Sequence, residues 1–282
     1  MPEGDTVWLT CQRLNSALAG GTLTRAELRV PQAASVDLAG AQVVDVVSRG
    51  KHIMVRVMTS EGLALTVHSH LRMDGSWQLN QLTTPVRSVL EPQIRVWFET
   101  DSIRALGVDL GEVDVMRTSD EAAAYGYLGP DLLGPDWDAV EAERRLATHP
   151  ERPLHTALLD QGNLAGIGNL YGNELCFLFR THPASPVSDV ADLAAVVAKA
   201  KQLLEVNKSR MAQSTTGELG VGKEQWVFER GGKPCRRCGS RIRSGLLGSR
   251  TQERIVYWCP TCQPGPELPR VRPMTSRARY SG

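Results

Sequence analysis

The sequence predicts a multidomain α+β protein: an N-terminal β-sandwich with a leading helix, then a helical region, then a small C-terminal module built on a β-hairpin and four cysteines. Three observations support this. The hydrophobic period is helical at the start, close to two from about residue 22 to 116, and helical again from residue 119. Four cysteines stand as two CxxC pairs between residues 235 and 262. The chain has 282 residues, too many for one domain at roughly 150 residues each.

Taken in order, residues 3–19 place Val7, Trp8, Cys11, Leu14 and Leu18 at helical spacing, and Gly20-Gly21 stops the run. Short alternating segments follow: LTRAELRV, AQVVDVVSRG, HIMVRVMT, LALTVHSHL, GSWQLN and IRVWFET. These predict antiparallel strands, with Gln81–Gln93 as a polar, proline-containing connection. Helices are expected over Asp136–Thr148, Pro153–Leu159, Asn169–Phe179 and Ala191–Val206, the last capped by Asp189. Thr215–Glu224 is glycine-rich and polar, hence a loop, and Trp226–Phe228 begins the cysteine module. The expected domains are 1–118, 119–222 and 223–264, with 265–282 a disordered basic tail of many prolines and arginines and little to bury.

Composition excludes several classes. Hydrophobic residues make up 41% and charged residues 22%, which is globular rather than disordered. No stretch reaches the roughly 18 apolar residues of a membrane span. Glu3, Asp5 and Arg13 break any secretory signal. Six cysteines without such a signal point to a reducing, cytoplasmic setting. The net charge of +1 conceals a division: residues 1–200 carry 16 Lys+Arg against 25 Asp+Glu, and residues 201–282 carry 16 against 6. A basic C-terminal third suits a polyanion such as nucleic acid, although basic surfaces also serve solubility.

Cys235, Cys238, Cys259 and Cys262 have the spacing of a four-thiolate zinc site. Two disulfides or a redox pair would share the count, but a reducing compartment disfavours them. A module this small cannot bury enough surface to fold unaided, so one structural Zn2+ would supply folding free energy. Its hairpin carries Arg236, Arg237, Arg241, Arg243, Arg250 and Arg254, suited to phosphates. In LLDQGNLAGIGNLYGNELCF, Gly162, Gly166 and Gly168 form a turn ahead of a helix starting at Asn169. That turn is either a phosphate site, with amides and a helix N-terminus facing an anion, or a hairpin whose glycines permit close packing. Pro2 becomes a free secondary amine once Met1 is removed, and Glu3 beside it can act as acid or base. By themselves these two residues are also an ordinary chain start.

Four motifs in order resemble one family: MPEG at the start, SRGKH at 48–52, LLDQGNLAGIGNLY at 158–171, and CRRCG…RIVYWCPTCQ at 235–263. The chain resembles the formamidopyrimidine-DNA glycosylase/endonuclease VIII family of bifunctional base-excision repair enzymes, and its MPEG start and zinc-finger ending resemble the bacterial endonuclease VIII branch. The resemblance implies a helix–two-turn–helix in the helical domain and damaged DNA in the cleft between domains; such a cleft needs no second subunit, so a monomer is expected, in the bacterial cytoplasm and associated with the nucleoid. It implies removal of an oxidised base through a Pro2 Schiff base and strand cleavage by β,δ-elimination, without an organic cofactor. Glu3 would assist sugar-ring opening, Lys51 would act in elimination, Asn169 would hold phosphate, and Arg254 would grip the flanking phosphates.

HLRMDGSW at 70–77 resembles the family's void-filling loop. It makes Met73 the wedge into the gap left by the flipped base, with Arg72 assisting and His70 on a phosphate; the alternative is Met73 as core at a strand end. Arg104 is a candidate for the orphaned strand. Three positions depart from the pattern: Thr6 replaces a glutamate, Tyr127 replaces an arginine, and Arg72-Met73-Asp74 replaces Gln-Leu-Tyr. Oxidised pyrimidines are the expected substrates. The alternatives are oxidised or ring-opened purines, and a non-catalytic DNA-binding paralogue.

Overall fold

The computed structural model describes residues 2–249 and 252–271. Met1, Arg250 among the hairpin arginines, and residues 272–282 of the expected tail lie outside the described residues.

The leading amphipathic run forms α1 (Gly4–Leu18), and its apolar stripe of Val7, Cys11, Leu14 and Leu18 is buried. Asn15 on α1 accepts the Val46 N–H at 2.8 Å, fixing the helix across the sheet beneath it. The strands are β1 (Arg25–Leu28), β2 (Gln42–Arg49), β3 (His52–Met58), β4 (Ala64–His70), β5 (Ser76–Gln81), β6 (Ile94–Glu99), β7 (Ile103–Val108) and β8 (Glu112–Arg117). They make two four-stranded sheets, ordered β2-β3-β4-β8 and β1-β6-β7-β5. All their pairings are antiparallel. Alternation turns Ile53, Val55 and Val57 inward with Val67, Val96, Phe98 and Val113, and α1 closes one side of this core. The Gln81–Gln93 connection covers the outer face, where Val86 and Leu90 pack on Trp97 and Leu106.

Each of the six alternating segments contains a strand, and β7 and β8 complete the sheets. β7 was harder to read because Ala105 and Gly107 are weak strand formers; cross-strand pairing with β5 and β6 supplies what propensity lacks.

The helices are α2 (Glu121–Tyr125), α3 (Ala139–Ala147), α4 (Leu154–Leu159), α5 (Asn169–Leu178) and α6 (Leu193–Asn207). They enclose a second core that includes Leu146, Leu158, Leu164, Tyr171, Leu175, Val197 and Leu204. The cap of α6 is Asp192, whose carboxylate accepts the Ala195 N–H at 2.8 Å. Asp189, the expected cap, instead ends a separate 3-10 turn, Val187–Asp189.

The cysteine module carries the hairpin β9 (Arg243–Leu247) and β10 (Arg254–Trp258). Residues 265–271, expected to be disordered, lie along it: Pro269 C=O accepts the Leu246 N–H at 2.8 Å, and Leu268 sits against Gly245. An extended segment needs no core of its own when an open strand edge supplies hydrogen bonds. Among the described residues no helix is long and apolar enough to cross a membrane.

Candidate active site and nucleic-acid interface

The N-terminal peptide is inserted between the two cores. Gly4 N–H donates to Gly166 C=O at 2.9 Å. Glu3, fully buried, accepts Gly168 N–H at 2.5 Å and Leu170 N–H at 2.7 Å. Its carboxylate therefore occupies the positive N-terminus of α5, where an anion is favoured. The glycine turn works by close approach. A Cβ on Gly168 would stand 2.6 Å from Glu3 Cδ, and one on Gly4 would stand 2.9 Å from Gly166 Cα. The other turn amides are also used internally, Gly162 N–H on Asp160 and Gly166 N–H on Gln161. The anion at this helix end is thus a side chain of the chain itself, and the phosphate reading of the glycine amides gives way to the packing reading.

Burial pushes the Glu3 carboxyl up to about 7, against the opposing pull of the Lys51 ammonium and the two amides. Burial likewise pushes the Lys51 ammonium below its usual value, Glu3 opposing this and Arg254 adding to it. Lys51 sits in the β2–β3 turn after Gly50, whose left-handed φ of 57° suits glycine. Asp131 holds that turn by accepting Gly50 N–H at 2.7 Å. Pro2, next to Glu3, is half-buried. The arrangement joins a potential amine nucleophile, an acid that titrates near neutrality and two cations. Such a set can form an iminium with an aldehyde-like carbon and stabilise an expelled oxyanion.

Asn169 opens α5, and its side chain is bonded within the protein. Its Nδ2 donates to Ile255 C=O on β10 at 3.0 Å, and its Oδ1 pairs with His155 Nε2 at 3.0 Å. Asn173, one turn on, accepts Tyr257 N–H at 2.6 Å. Two asparagines thereby bind α5 to the hairpin. Arg254 stands at the start of β10 and, with Arg152, Thr156 and Gln161, lines a cleft of about 340 Å³ between α4 and the hairpin. The sulfurs of Cys235, Cys238, Cys259 and Cys262 lie within 4.8 Å of one another, so these residues can hold a metal ion. The pairs Cys238–Cys259 at 3.4 Å and Cys235–Cys262 at 4.0 Å are too long for disulfides and bracket the separation of thiolates around a tetrahedral ion.

Met73 is 62% exposed at a loop tip, so it is not core. Arg72 before it has φ 55° and pairs with Glu112. His70 accepts Arg72 N–H at 2.9 Å and lies near Lys51; burial, Arg72 and Lys51 push its imidazole down to about 4. Arg104 is not brought to this centre. It is bound to Glu99 at 2.5 Å and to the carbonyls of Thr84 and Leu82, with its guanidinium 5.1 Å from the Trp97 ring.

Sequence reasoning missed Asp131, Tyr171 and Glu174. Glu174 is fully buried and accepts the N–H groups of Trp226, Val227 and Phe228 and the Thr215 hydroxyl. The one available signal was a lone charged residue within an otherwise uncharged helix run, which requires partners if buried.

Residues 1–117 match the formamidopyrimidine-DNA glycosylase N-terminal domain, and residues 128–217 match the H2TH domain of the same glycosylase. The chain therefore belongs to the formamidopyrimidine-DNA glycosylase/endonuclease VIII family. Within it, the chain sides with proteins bearing endonuclease VIII names. It is 46% identical over 263 residues to the DNA-(apurinic or apyrimidinic site) lyase Nei2 of Mycolicibacterium smegmatis, covering 93% of this chain and 99% of that one. It is 50% identical over 268 residues to the probable endonuclease 8 2 of Streptomyces coelicolor, covering 94% and 95%. The Lactococcus lactis Fpg complex with abasic-site DNA shares the fold at TM-score 0.77 and 20% identity, over 93% of this chain and 100% of that one.

Proposed function

We propose that this protein is a bifunctional DNA glycosylase and abasic-site lyase of base-excision repair, taking oxidised pyrimidines first. The observation that supports the reading is the insertion of the Pro2-Glu3-Gly4 peptide between the two cores, with Glu3 buried at the α5 N-terminus and within electrostatic reach of Lys51. The relatives' names, lyase and endonuclease 8, agree with it.

The steps follow from the residue types. With Met1 removed, neutral Pro2 attacks the anomeric carbon of the damaged nucleotide; the C–N bond to the base breaks and the base leaves with a proton. Glu3, titrating near 7, supplies the proton that opens the sugar ring. The iminium acidifies the neighbouring C–H; its proton goes to a base, a role Lys51 would take, and the 3′ phosphate leaves. A second elimination releases the 5′ phosphate, and water frees Pro2. Arg254 and Asn169 would position phosphates, and Met73, with Arg72 and His70, would fill the vacated stack. Arg104 would reach the orphaned strand only by leaving Glu99. The four cysteines would hold one structural Zn2+, which shapes the arginine-bearing hairpin. We assign sandwich, helical and zinc-finger domains to 1–118, 119–222 and 223–264, in a monomer acting on DNA in the bacterial cytoplasm.

Borohydride trapping on DNA with one abasic site tests this. A covalent adduct from wild type that disappears in Pro2→Gly is expected. No adduct from Met1-processed, metal-loaded protein that binds the DNA would leave a non-catalytic binding protein. Faster excision of 8-oxoguanine opposite C than of every oxidised pyrimidine would overturn the substrate order.

A further inference from the structure

Asp5 lies in the first turn of α1, yet is only 2% exposed. A carboxylate in a helix's first turn ordinarily faces solvent and the helix's own amides. This one makes a single such bond, from Thr6 N–H at 2.8 Å, and otherwise points into the protein. Its Oδ2 accepts the Tyr171 hydroxyl at 2.6 Å, and its Oδ1 accepts Gln213 Nε2 at 2.7 Å. Tyr171 is the third residue of α5 and fully buried. Gln213 opens the segment that runs through the glycine-rich loop to Glu224. One carboxylate thus joins the N-terminal peptide, the helix whose end receives Glu3, and the root of that loop.

We propose that Asp5 is a positioning residue for the Pro2 reaction, its charged carboxylate holding the first turn of α5 beneath Glu3 and tying the 213–225 segment to the same point. The inference rests on the Pro2 reading above. Bonding alone does not require a charge here, because an asparagine would fill the same space with one acceptor and one amide. Burial pushes the Asp5 carboxyl above its usual value, and the bonds from Tyr171, Gln213 and Thr6 oppose this; the charge they hold acts on the neighbours. Lys51 from the β2–β3 turn faces both carboxyls, Arg254 from β10 acts on Lys51, and Arg210 after α6 acts on the Tyr171 phenol of α5. Among these, Asp5 adds a like charge beside Glu3, so Glu3 keeps its proton to higher pH; burial remains the larger cause. Thr6, next in sequence, is left without such a role.

The test uses full-length, Met1-processed, metal-loaded protein. Single-turnover borohydride trapping on abasic DNA is followed from about pH 5.5 to about 9 for wild type, Asp5→Asn and Tyr171→Phe, with DNA affinity measured alongside. Asp5→Asn is expected to trap roughly tenfold more slowly at neutral pH. Its basic limb should move to lower pH by roughly half a unit or more, because Glu3 loses the neighbouring charge. DNA affinity should stay within about twofold of wild type. Tyr171→Phe removes the hydroxyl that favours the charged Asp5 carboxylate, so it should trap more slowly and move the basic limb in the same direction, by less. Wild-type rate and limb in Asp5→Asn overturn the inference, as does a slower rate with an unmoved limb, which packing alone explains. If Asp5→Asn does not melt cooperatively, Tyr171→Phe decides: a slower rate with the basic limb moved to lower pH supports the inference, and a wild-type rate or an unmoved limb overturns it. Wild type that forms no adduct overturns the Pro2 reading and this inference together, so the two failures are told apart.

Discussion

Glu3 shows how one side chain can be both structural and chemical. Its two oxygens complete the α5 N-terminus, and its burial holds the proton to about pH 7. The group gives up that proton as pH rises through 7, so a step needing the acid form declines there. Ring opening to the iminium should therefore fall on the alkaline side of neutrality, and Glu3→Gln should lower it by roughly 10²–10⁴-fold, read by single-turnover borohydride trapping across pH. Gly168 is the counterpart of this contact. Gly168→Ala would put a methyl 2.6 Å from Glu3 Cδ, forcing the N-terminal peptide from the helix end. We expect about 1–3 kcal/mol lower stability by denaturant unfolding and loss of trapping on abasic DNA. Unchanged trapping in that variant would show that the Glu3 contact does not place Pro2. Pro2, Glu3 and Lys51 could be picked out as residues because their motifs are short and local. Their partners Asp131 and Gly168 lie far along the chain, and no local pattern pairs them.

At the level of elements, α5 is the hub. Its N-terminus receives Glu3, Asn169 and Asn173 hold β10, and Glu174 holds the Trp226–Phe228 backbone at the entrance to the cysteine module. Each of these groups is buried, so removing one orphans its partners. Glu174→Ala leaves three amides and a hydroxyl without their acceptor, at about 1–3 kcal/mol for each buried group left unsatisfied. Earlier proteolytic cleavage within residues 215–224 and a clearly lower melting temperature are expected; a melting curve and cleavage pattern like wild type would remove Glu174 from this role. The helices were legible from period and the α5 start from its glycines. The α6 cap was misplaced because Asp189 and Asp192 both precede the apolar run, and only the tertiary path puts Asp192 within 2.8 Å of an amide. β7 was obscured for the opposite reason, with pairing overriding weak local preference.

Across the whole molecule, the acidic first 200 residues and the basic remainder meet where Asn169 and Asn173 of α5 bond the hairpin strand β10. Binding to DNA should weaken steeply with salt, through counterion release by the hairpin and neighbouring cations. Metal removal tests the division of labour. Four thiolates on a small hairpin supply folding energy only when metal is bound. Chelation should therefore abolish DNA binding and amide protection in residues 235–262 while the sandwich strands stay protected, as read by hydrogen exchange. Collapse of protection in β2–β4 at the same chelator concentration would instead mean that the module and the sandwich fold as one unit.

The sequence by itself determined the order of parts: a leading helix, short alternating strands, helices around a glycine turn, and a four-cysteine module. These depend on period, turn residues and cysteine spacing, all of which are local. It also marked Pro2, Glu3, Lys51 and Arg254, because each sits in a short motif. Only the tertiary structure decided that the glycine turn receives Glu3 rather than an outside anion, that Asn169 bonds the hairpin, and that Arg104 is held by Glu99. It alone buried Asp5 against Tyr171 and Gln213. The physical reason is that a buried polar group must find its partners wherever the folded chain brings them, and those partners here lie up to 208 residues away.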